Sequence, residues 1–179
     1  YHSLALGQDG RVWAWGDNRF GQLGDGTTSN RVTPILVSGL SGIAQIAAGY
    51  THSLARSFDG RIWAWGYNEF GQLGDGSRTP RSTPGSVGGL GSAVEVSVGW
   101  FYSMARTQDG RVWAWGDNRL GQLADGAITA RPTPGSCAAH SLARPAASLV
   151  ATQAAQQAPH ASTRSGCATA RQRSRSAAA

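Results

Sequence analysis

Apolar and polar positions repeat along the first three quarters of the chain with a period of fifty residues. Residues 11–26 read RVWAWGDNRFGQLGDG; residues 61–76 match them at 13 of 16 positions, and residues 111–126 match at 14. In each copy an Asp-Gly pair separates two short apolar runs, as between residues 3–6 and 11–15. Asp-Gly favours a tight hairpin because glycine accepts the positive φ of the turn. The pattern therefore predicts antiparallel hairpins and no helix.

Further short runs complete each unit. Thr-Pro at 33–34 and 83–84 favours extended chain, and the runs at 42–48 and 93–98 add one more strand each. The run 12–15 is apolar on both faces, with Val and Ala on one side and both Trp on the other, so it needs a packed neighbour on each side. Four-stranded blades packed side by side meet that need. The predicted fold is all-β: a partial β-propeller of four-stranded antiparallel blades, with the Trp rings buried between blades.

The pattern divides the chain into two parts. Propeller-type repeats occupy residues 1–136, as units 1–49, 50–99 and 100–136. Residues 137–179 form an Ala/Arg/Ser-rich, low-complexity tail with no aromatic and no acidic residue. Such a segment buries too little apolar area to offset its ordering entropy, which predicts a disordered C-terminal tail. A rearranged or out-of-frame coding end and a functional basic arm are the alternatives.

Charge and cysteine content exclude few classes of function. The net charge is +6 and every basic residue is Arg, but five Arg lie in the tail without a single acid. The basic balance therefore gives no evidence of nucleic-acid binding by the repeats. No apolar run approaches the ~18 residues of a membrane span. Cys137 and Cys167 lie after the repeats and have no disulfide-framework or zinc-site spacing. Cysteine content therefore does not decide between an extracellular and a cytoplasmic location.

The repeated motifs resemble the regulator of chromosome condensation repeats. They are His-Ser-Leu-Ala (2–5, 52–55), Asp-Gly (9–10, 59–60, 109–110), Trp-Ala-Trp-Gly (13–16, 63–66, 113–116) and Gly-Gln-Leu-Gly-Asp-Gly (21–26, 71–76). The residues of these motifs resemble those of bacterial members more than those of the eukaryotic exchange factor. The structural repeat positions are Asp9, Gly10, Trp13, Trp15, Gly16, Gly21, Leu23, Asp59, Gly60, Trp63, Trp65, Gly66, Gly71, Leu73, Asp109, Gly110, Trp113, Trp115, Gly116, Gly121 and Leu123.

The resemblance implies a seven-bladed propeller, of which this chain holds two full repeats and a partial third. Family members bind proteins: a small GTPase, a β-lactamase, or a second subunit in a photoreceptor. The third unit departs from the pattern at Leu120, Ala124 and 101–102. Alanine at 124 would cost ~1 kcal/mol if that position requires a positive φ. Blade faces left open would favour self-association.

Variable positions within the constant frame are the candidate partner-binding residues. Aromatic rings precede the same strand in successive units, and exposed aromatics are typical of protein interfaces. A second variable loop occupies residues 17–19, 67–69 and 117–119. The alternative is that the rings only pad the propeller channel. The aromatic candidates are Tyr1, Tyr50, Trp100, Phe101 and Tyr102.

Catalytic and cofactor motifs do not stand out. No G-x-S-x-G elbow occurs, and a chain without Lys has no P-loop. His2 and His52 precede serines but give way to Tyr102 in the third unit, which favours a structural role. The Asp17-Asn18 and Asp25-Gly26 pairs lack the spacing of a calcium loop and indicate turns. We predict no catalytic residue, no metal and no cofactor.

The leading functional prediction is a non-enzymatic scaffold that binds an unidentified protein. The alternatives are a guanine-nucleotide exchange factor-like regulator of a small GTPase, although neither an inserted wedge nor a chromatin-binding arm is recognisable, and a truncated gene product without independent function. A glycan-hydrolysing propeller would need acids outside the repeat positions, where almost none occur.

Overall fold

Eleven β-strands make up the computed structural model, which describes residues 1–138. Neither a helix nor a membrane-spanning segment of helical type occurs within this range. The predicted tail from residue 139 onward lies outside the described residues. The strands are β1 (His2–Leu6), β2 (Val12–Gly16), β3 (Arg31–Leu36), β4 (Ile43–Ala48), β5 (His52–Ser57), β6 (Ile62–Gly66), β7 (Arg81–Ser86), β8 (Ala93–Val98), β9 (Tyr102–Thr107), β10 (Val112–Gly116) and β11 (Arg131–Ser136).

The strands form three antiparallel sheets. The first sheet is β1-β2-β3, the second is β4-β5-β6-β7 and the third is β8-β9-β10-β11. Strand β4 ends the first sequence unit but pairs with β5, so each four-stranded sheet joins the end of one unit to most of the next. Within the described range the first sheet has no counterpart of β4. The all-β, antiparallel prediction is confirmed.

The Asp-Gly hairpins place the repeated tryptophans in equivalent positions. Trp13 pairs with Ala5, Trp63 with Ala55 and Trp113 with Ala105, one residue from the centre of each hairpin ladder. Each hairpin turns at a glycine of positive φ, between 74° and 83°. The fifty-residue sequence period is therefore a fifty-residue structural period.

Neighbouring sheets pack face to face, with small side chains of one sheet against a large indole of the next. Val12 and Ala14 of β2 are fully buried and meet the indole of Trp65, which projects from β6 of the second sheet. Trp115 of β10 packs in the same way against Ala64 of β6. The two faces of the Val-Trp-Ala-Trp strand thus serve two different joints, which explains why it is apolar on both sides.

The two tryptophans of each strand are not equally buried. Trp65 and Trp115 have no exposed surface, whereas Trp13 is 39% exposed and Trp63 and Trp113 are half-buried. Trp15 is also half-buried, because no preceding sheet covers it within the described range. The expectation that all the Trp rings are buried between blades is therefore too broad, and the second Trp of each pair carries the contact between sheets.

The packing of the third sheet includes Cys137, the first residue of the predicted tail. Cys137 is 4% exposed and packs with Ala114 and Leu123. Its amide donates to the carbonyl of Val112 at 3.0 Å, as Val37 does to Val12 and Val87 to Ile62. Cys137 therefore replaces a core valine of the earlier sheets, and burial raises the pKa of its thiol.

Candidate protein-binding surface

Aromatic side chains gather at one end of the three sheets. The residues before β1, β5 and β9 and those after β2, β6 and β10 lie at this same end, since the paired strands run antiparallel. In the second sheet, for example, His52 at the start of β5 pairs with Gly66 at the end of β6. The hairpin geometry therefore brings the two variable regions of each unit side by side.

The aromatic residues before the strands contact one another from sheet to sheet. The ring of Tyr50 lies 5.4 Å from that of Tyr1 in an edge contact and 5.7 Å from that of Trp100, nearly parallel to it. Phe101 adds an edge contact to Tyr50 at 5.8 Å. These centroid distances are those of favourable aromatic pairs, worth about 0.5–1.5 kcal/mol each beyond area burial.

The second variable region joins the same array. Tyr67 lies 5.8 Å from Phe101 and 4.9 Å from Phe20, and Phe70 lies 5.4 Å from Phe101. The guanidinium of Arg119 sits 4.4 Å above the Phe70 ring, within cation–π range. We call this set the aromatic surface: Tyr1, Phe20, Tyr50, Tyr67, Phe70, Trp100, Phe101 and Arg119.

The exposed rings of this surface are those predicted from the sequence. Tyr1 is 79% exposed, Tyr50 36% and Trp100 39%, while Phe101 is half-buried at the centre of the array. Tyr102 lies apart from it. Its ring packs inward beside Met104 and Gly99, in the place that His52 takes in the second sheet.

Phe20 and Phe70 were not among the predicted site residues. They belong to the constant Phe-Gly-Gln-Leu-Gly motif, which the sequence indicated only as a turn, so nothing in the repeat pattern separated them from structural residues. The signal that could have found them is Leu120. It is 88% exposed and replaces Phe in the third unit, as expected where the position is not part of a core.

A buried asparagine holds each loop of the second variable region. The amide of Asn18 has no exposed surface; its Nδ2 donates to the carbonyls of Thr27 and Ser29 at 3.1 and 3.0 Å, and its Oδ1 accepts from the amide of Leu23 at 2.9 Å. Asn68 and Asn118 repeat most of these contacts. The loops are thereby fixed from within, which pre-organises the rings they carry.

Ion pairs and hydrogen bonds fix the polar side chains of these loops. Arg19 contacts both carboxylate oxygens of Asp17 at 2.9 Å, and Arg119 does the same with Asp117. The hydrogen bond from Arg19 is the main cause that lowers the pKa of Asp17. The Tyr67 hydroxyl donates to Glu69 at 2.6 Å; burial first, and then this bond, raises the pKa of Tyr67 to about 12.

The histidines belong to the joints between sheets. His52 Nε2 lies 2.9 Å from Ser103 Oγ, and that hydroxyl donates to the carbonyl of Gln72 at 2.8 Å, so the imidazole is the donor. His2 and Ser53 repeat the arrangement with the carbonyl of Gln22. Because Ser103 is fully buried and its proton is held by a carbonyl, this His–Ser pair is not arranged as a nucleophile and its base.

The Asp-Gly pairs of the second turn are engaged in the loop itself. Asp25 accepts from the amide and hydroxyl of Thr27 and from Asn18, and it pairs with Arg31 at 2.7 Å. Burial raises the pKa of Asp25, but these hydrogen bonds outweigh it and lower the pKa to about 2. No cluster of three potential metal ligands is present in residues 1–138.

Most of the described chain matches a known protein family. The family described as "Regulator of chromosome condensation (RCC1) repeat" matches residues 9–56 and 59–106, and a second family of the same description matches residues 43–72 and 93–122. Together the two matches of the first family cover more than half of the chain.

Curated relatives match over a single repeat length. The human E3 ubiquitin-protein ligase HERC2 is 50% identical over 50 residues, which is 27% of this chain and 1% of HERC2. Human HERC4, a probable E3 ubiquitin-protein ligase, is 50% identical over 52 residues, 5% of its length. The chain thus spans only a small fraction of the curated relatives it matches.

Solved structures match the fold over three quarters of the chain. Human WBSCR16 superposes with a TM-score of 0.68 and 26% identity, covering 75% of this chain and 35% of that one. Prp20p from Saccharomyces cerevisiae superposes with a TM-score of 0.65 and 24% identity over 75% and 36%. The three sheets therefore form part of a β-propeller, and the chain spans about a third of these structures.

Proposed function

Because the chain belongs to the regulator of chromosome condensation repeat family, we propose that it is a non-enzymatic scaffold that binds a protein partner through the aromatic surface. The proposal concerns the whole protein's activity, since this chain covers about a third of the solved structures it matches.

The observation that carries the proposal is the continuity of the rings across three sheets. Tyr1, Tyr50 and Trp100 come from three successive units and form one uninterrupted series of contacts. Tyrosine, tryptophan and arginine are the residues enriched in binding hot spots, and rigid rings lose little entropy when a partner orders them. The neighbouring loops that carry Tyr67 and Phe70 are fixed by the buried Asn68, which pre-organises that part of the surface for binding.

Similar proteins also bind protein partners. One study of Prp20p concerns its binding properties to Gsp1p and histones, and another structure contains Kap60 bound to yeast RCC1. For this chain a protein partner is proposed without its identity. The ligase activity named for the longer HERC relatives has no residue in the described range that favours it over binding.

Tyr102 has a different role in this proposal from the four other candidates. Its ring packs beside Met104 in the third sheet, directly after Phe101 in the chain. We propose that it positions Phe101 and does not contact the partner. Tyr1, Tyr50, Trp100 and Phe101 are the proposed contact residues, together with Tyr67 and Phe70.

Site-specific photo-crosslinking tests the surface in the full chain. A photoreactive phenylalanine replaces Tyr50, and in a control variant it replaces Phe58, which is 79% exposed at the opposite end of the sheets. We expect one protein of the source organism to be captured through position 50 and not through position 58. Trp100→Ala should then weaken binding of that purified protein by about tenfold or more, with Phe58→Ala unchanged. Equal capture at both positions, or equal affinities, would contradict the proposal.

A further inference from the structure

The joint between sheets depends on a close approach of an indole to a glycine. Trp65 Nε1 donates to the carbonyl of Gln22 at 2.8 Å, and Trp115 Nε1 donates to that of Gln72 at 2.9 Å. Serine hydroxyls of the same sheets, Ser53 and Ser103, donate to the same two carbonyls at 2.8 Å. The indole must therefore lie low over the turn that carries the carbonyl.

Glycine is required at that turn for steric reasons. A Cβ at Gly24 would lie 2.8 Å from Trp65 Nε1, and a Cβ at Gly74 would lie 2.7 Å from Trp115 Nε1. Favourable carbon contacts lie near 3.5–4.0 Å. The indole cannot retreat by that amount and keep its hydrogen bond. A methyl group at this position and the indole joint are thus incompatible in the geometry that the chain uses twice.

The third sheet carries that methyl group. Ala124 stands where the first two sheets have Gly24 and Gly74, and it keeps the same turn, with φ at 51° and its amide bonded to the carbonyl of Gly121 at 3.1 Å. Cys137 takes the place of Val37 and Val87, whose Cγ1 atoms would lie 3.0 Å from a Cβ at the glycine.

We propose that Ala124 closes this face of the third sheet to the first sheet of a second copy of this chain, which would otherwise dock through the same indole–carbonyl contact. The first sheet of a second copy has the matching groups: Ser3 is exposed, Trp15 is half-buried, and neither side chain has a hydrogen bond within residues 1–138. At the equivalent turns a Cβ would lie 2.8 and 2.7 Å from the docked indole, so the Ala124 methyl occupies the space that Trp15 needs to reach the carbonyl of Gln122. The residue is a specificity determinant that blocks head-to-tail stacking, and its role does not depend on the aromatic surface.

Sedimentation velocity of the full chain tests the blocking role. We compare the native chain, Trp15→Ala, Ala124→Gly and the double variant Ala124→Gly/Trp15→Ala over a range of concentrations. Ala124→Gly should strengthen self-association by about tenfold or more, because glycine opens the turn to Trp15. The added Trp15→Ala should reverse the gain. Ala124→Gly sedimenting as the native chain does, or native association that Trp15→Ala abolishes, would overturn the proposal.

A second measurement tests the steric premise inside one folded chain. Gly74→Ala places a methyl against Trp115, whereas Gly126→Ala, at φ 81°, meets nothing within 4 Å in the described part of the chain. Both variants pay for a positive φ, but only the first also clashes. Gly74→Ala should lower Tm by several degrees more than Gly126→Ala. Equal falls in Tm would show that the joint tolerates the methyl and would also overturn the proposal.

Discussion

The indole of Trp115 donates its Nε1 hydrogen to the main-chain carbonyl of Gln72 at 2.9 Å, across the joint between the second and third sheets. The donor is the second tryptophan of a Trp-Ala-Trp-Gly strand, and the acceptor belongs to the Gly-Gln-Leu-Gly turn of the preceding unit. Two motifs that repeat separately in the sequence therefore recognise each other in space. This contact links the fifty-residue period to the stacking of the sheets.

Replacing single tryptophans should show how much the contact between sheets contributes to stability. Trp65→Ala removes a fully buried ring and leaves the Gln22 carbonyl without its indole donor, so we expect the free energy of unfolding to fall by about 3–5 kcal/mol. The matched control is Trp15→Ala, at the equivalent place in the first sheet but half-buried, with an expected loss of about 1–2 kcal/mol. Urea denaturation measures both; similar losses would contradict the role of the joint.

Acid should weaken the joints through their histidines. Burial lowers the pKa of His52 to about 3, and burial together with the N-terminal amine lowers that of His2 to about 4. Since the unfolded chain binds these protons near pH 6.5 and the folded chain does not, stability falls as the pH drops from 6.5 toward these values. Between pH 7 and 5 the loss from His52 should be about 2 kcal/mol.

Denaturation at a series of pH values measures this loss, with His52→Gln as the control. Above pH 5 the variant should lose about half as much stability per pH unit as the native chain, because His2 still contributes its own share. The carboxylates with lowered pKa, such as Asp25, contribute stability that is lost only as the pH falls below about 4, so they do not obscure the window. A native chain of constant stability from pH 7 to 5 would contradict the buried, neutral state of His52.

The sequence predicted the frame of the molecule better than its surface. Asp59-Gly60 and its repeats are sufficient to place the hairpins, because glycine at a tight reversal is a local requirement. The contact of Tyr67 with Phe101 is different, since it joins residues of neighbouring sheets and depends on how closely those sheets stack. The pairing of β4 with the strand that follows it, rather than with its own unit, is likewise a property of the sheet and not of the repeat.

The loop asparagines should matter more than their exposed neighbours. Asn68→Asp keeps the side-chain shape but replaces the Nδ2 donor by an acceptor that faces the carbonyl of Thr79 and the carboxylate of Asp75. We expect a loss of about 2–3 kcal/mol and faster amide exchange across residues 69–79. Glu69→Gln, an exposed change in the same loop, should leave that exchange unaltered. Unchanged protection in Asn68→Asp would show that the loop is held by other contacts.

Tyr67 should ionise later than an ordinary tyrosine. Its pKa is raised to about 12 by burial within the aromatic surface and, second, by the hydrogen bond that its hydroxyl donates to Glu69. Ultraviolet titration of the native chain should therefore show one phenol ionising well above the usual value near 10. Tyr67→Phe should remove that step and keep the ring contacts with Phe20 and Phe101. Glu69→Gln should lower the pKa without abolishing the upward shift, because burial remains. If Glu69→Gln returned the pKa to about 10, the ring would be solvated in solution and the packed aromatic surface would be absent there.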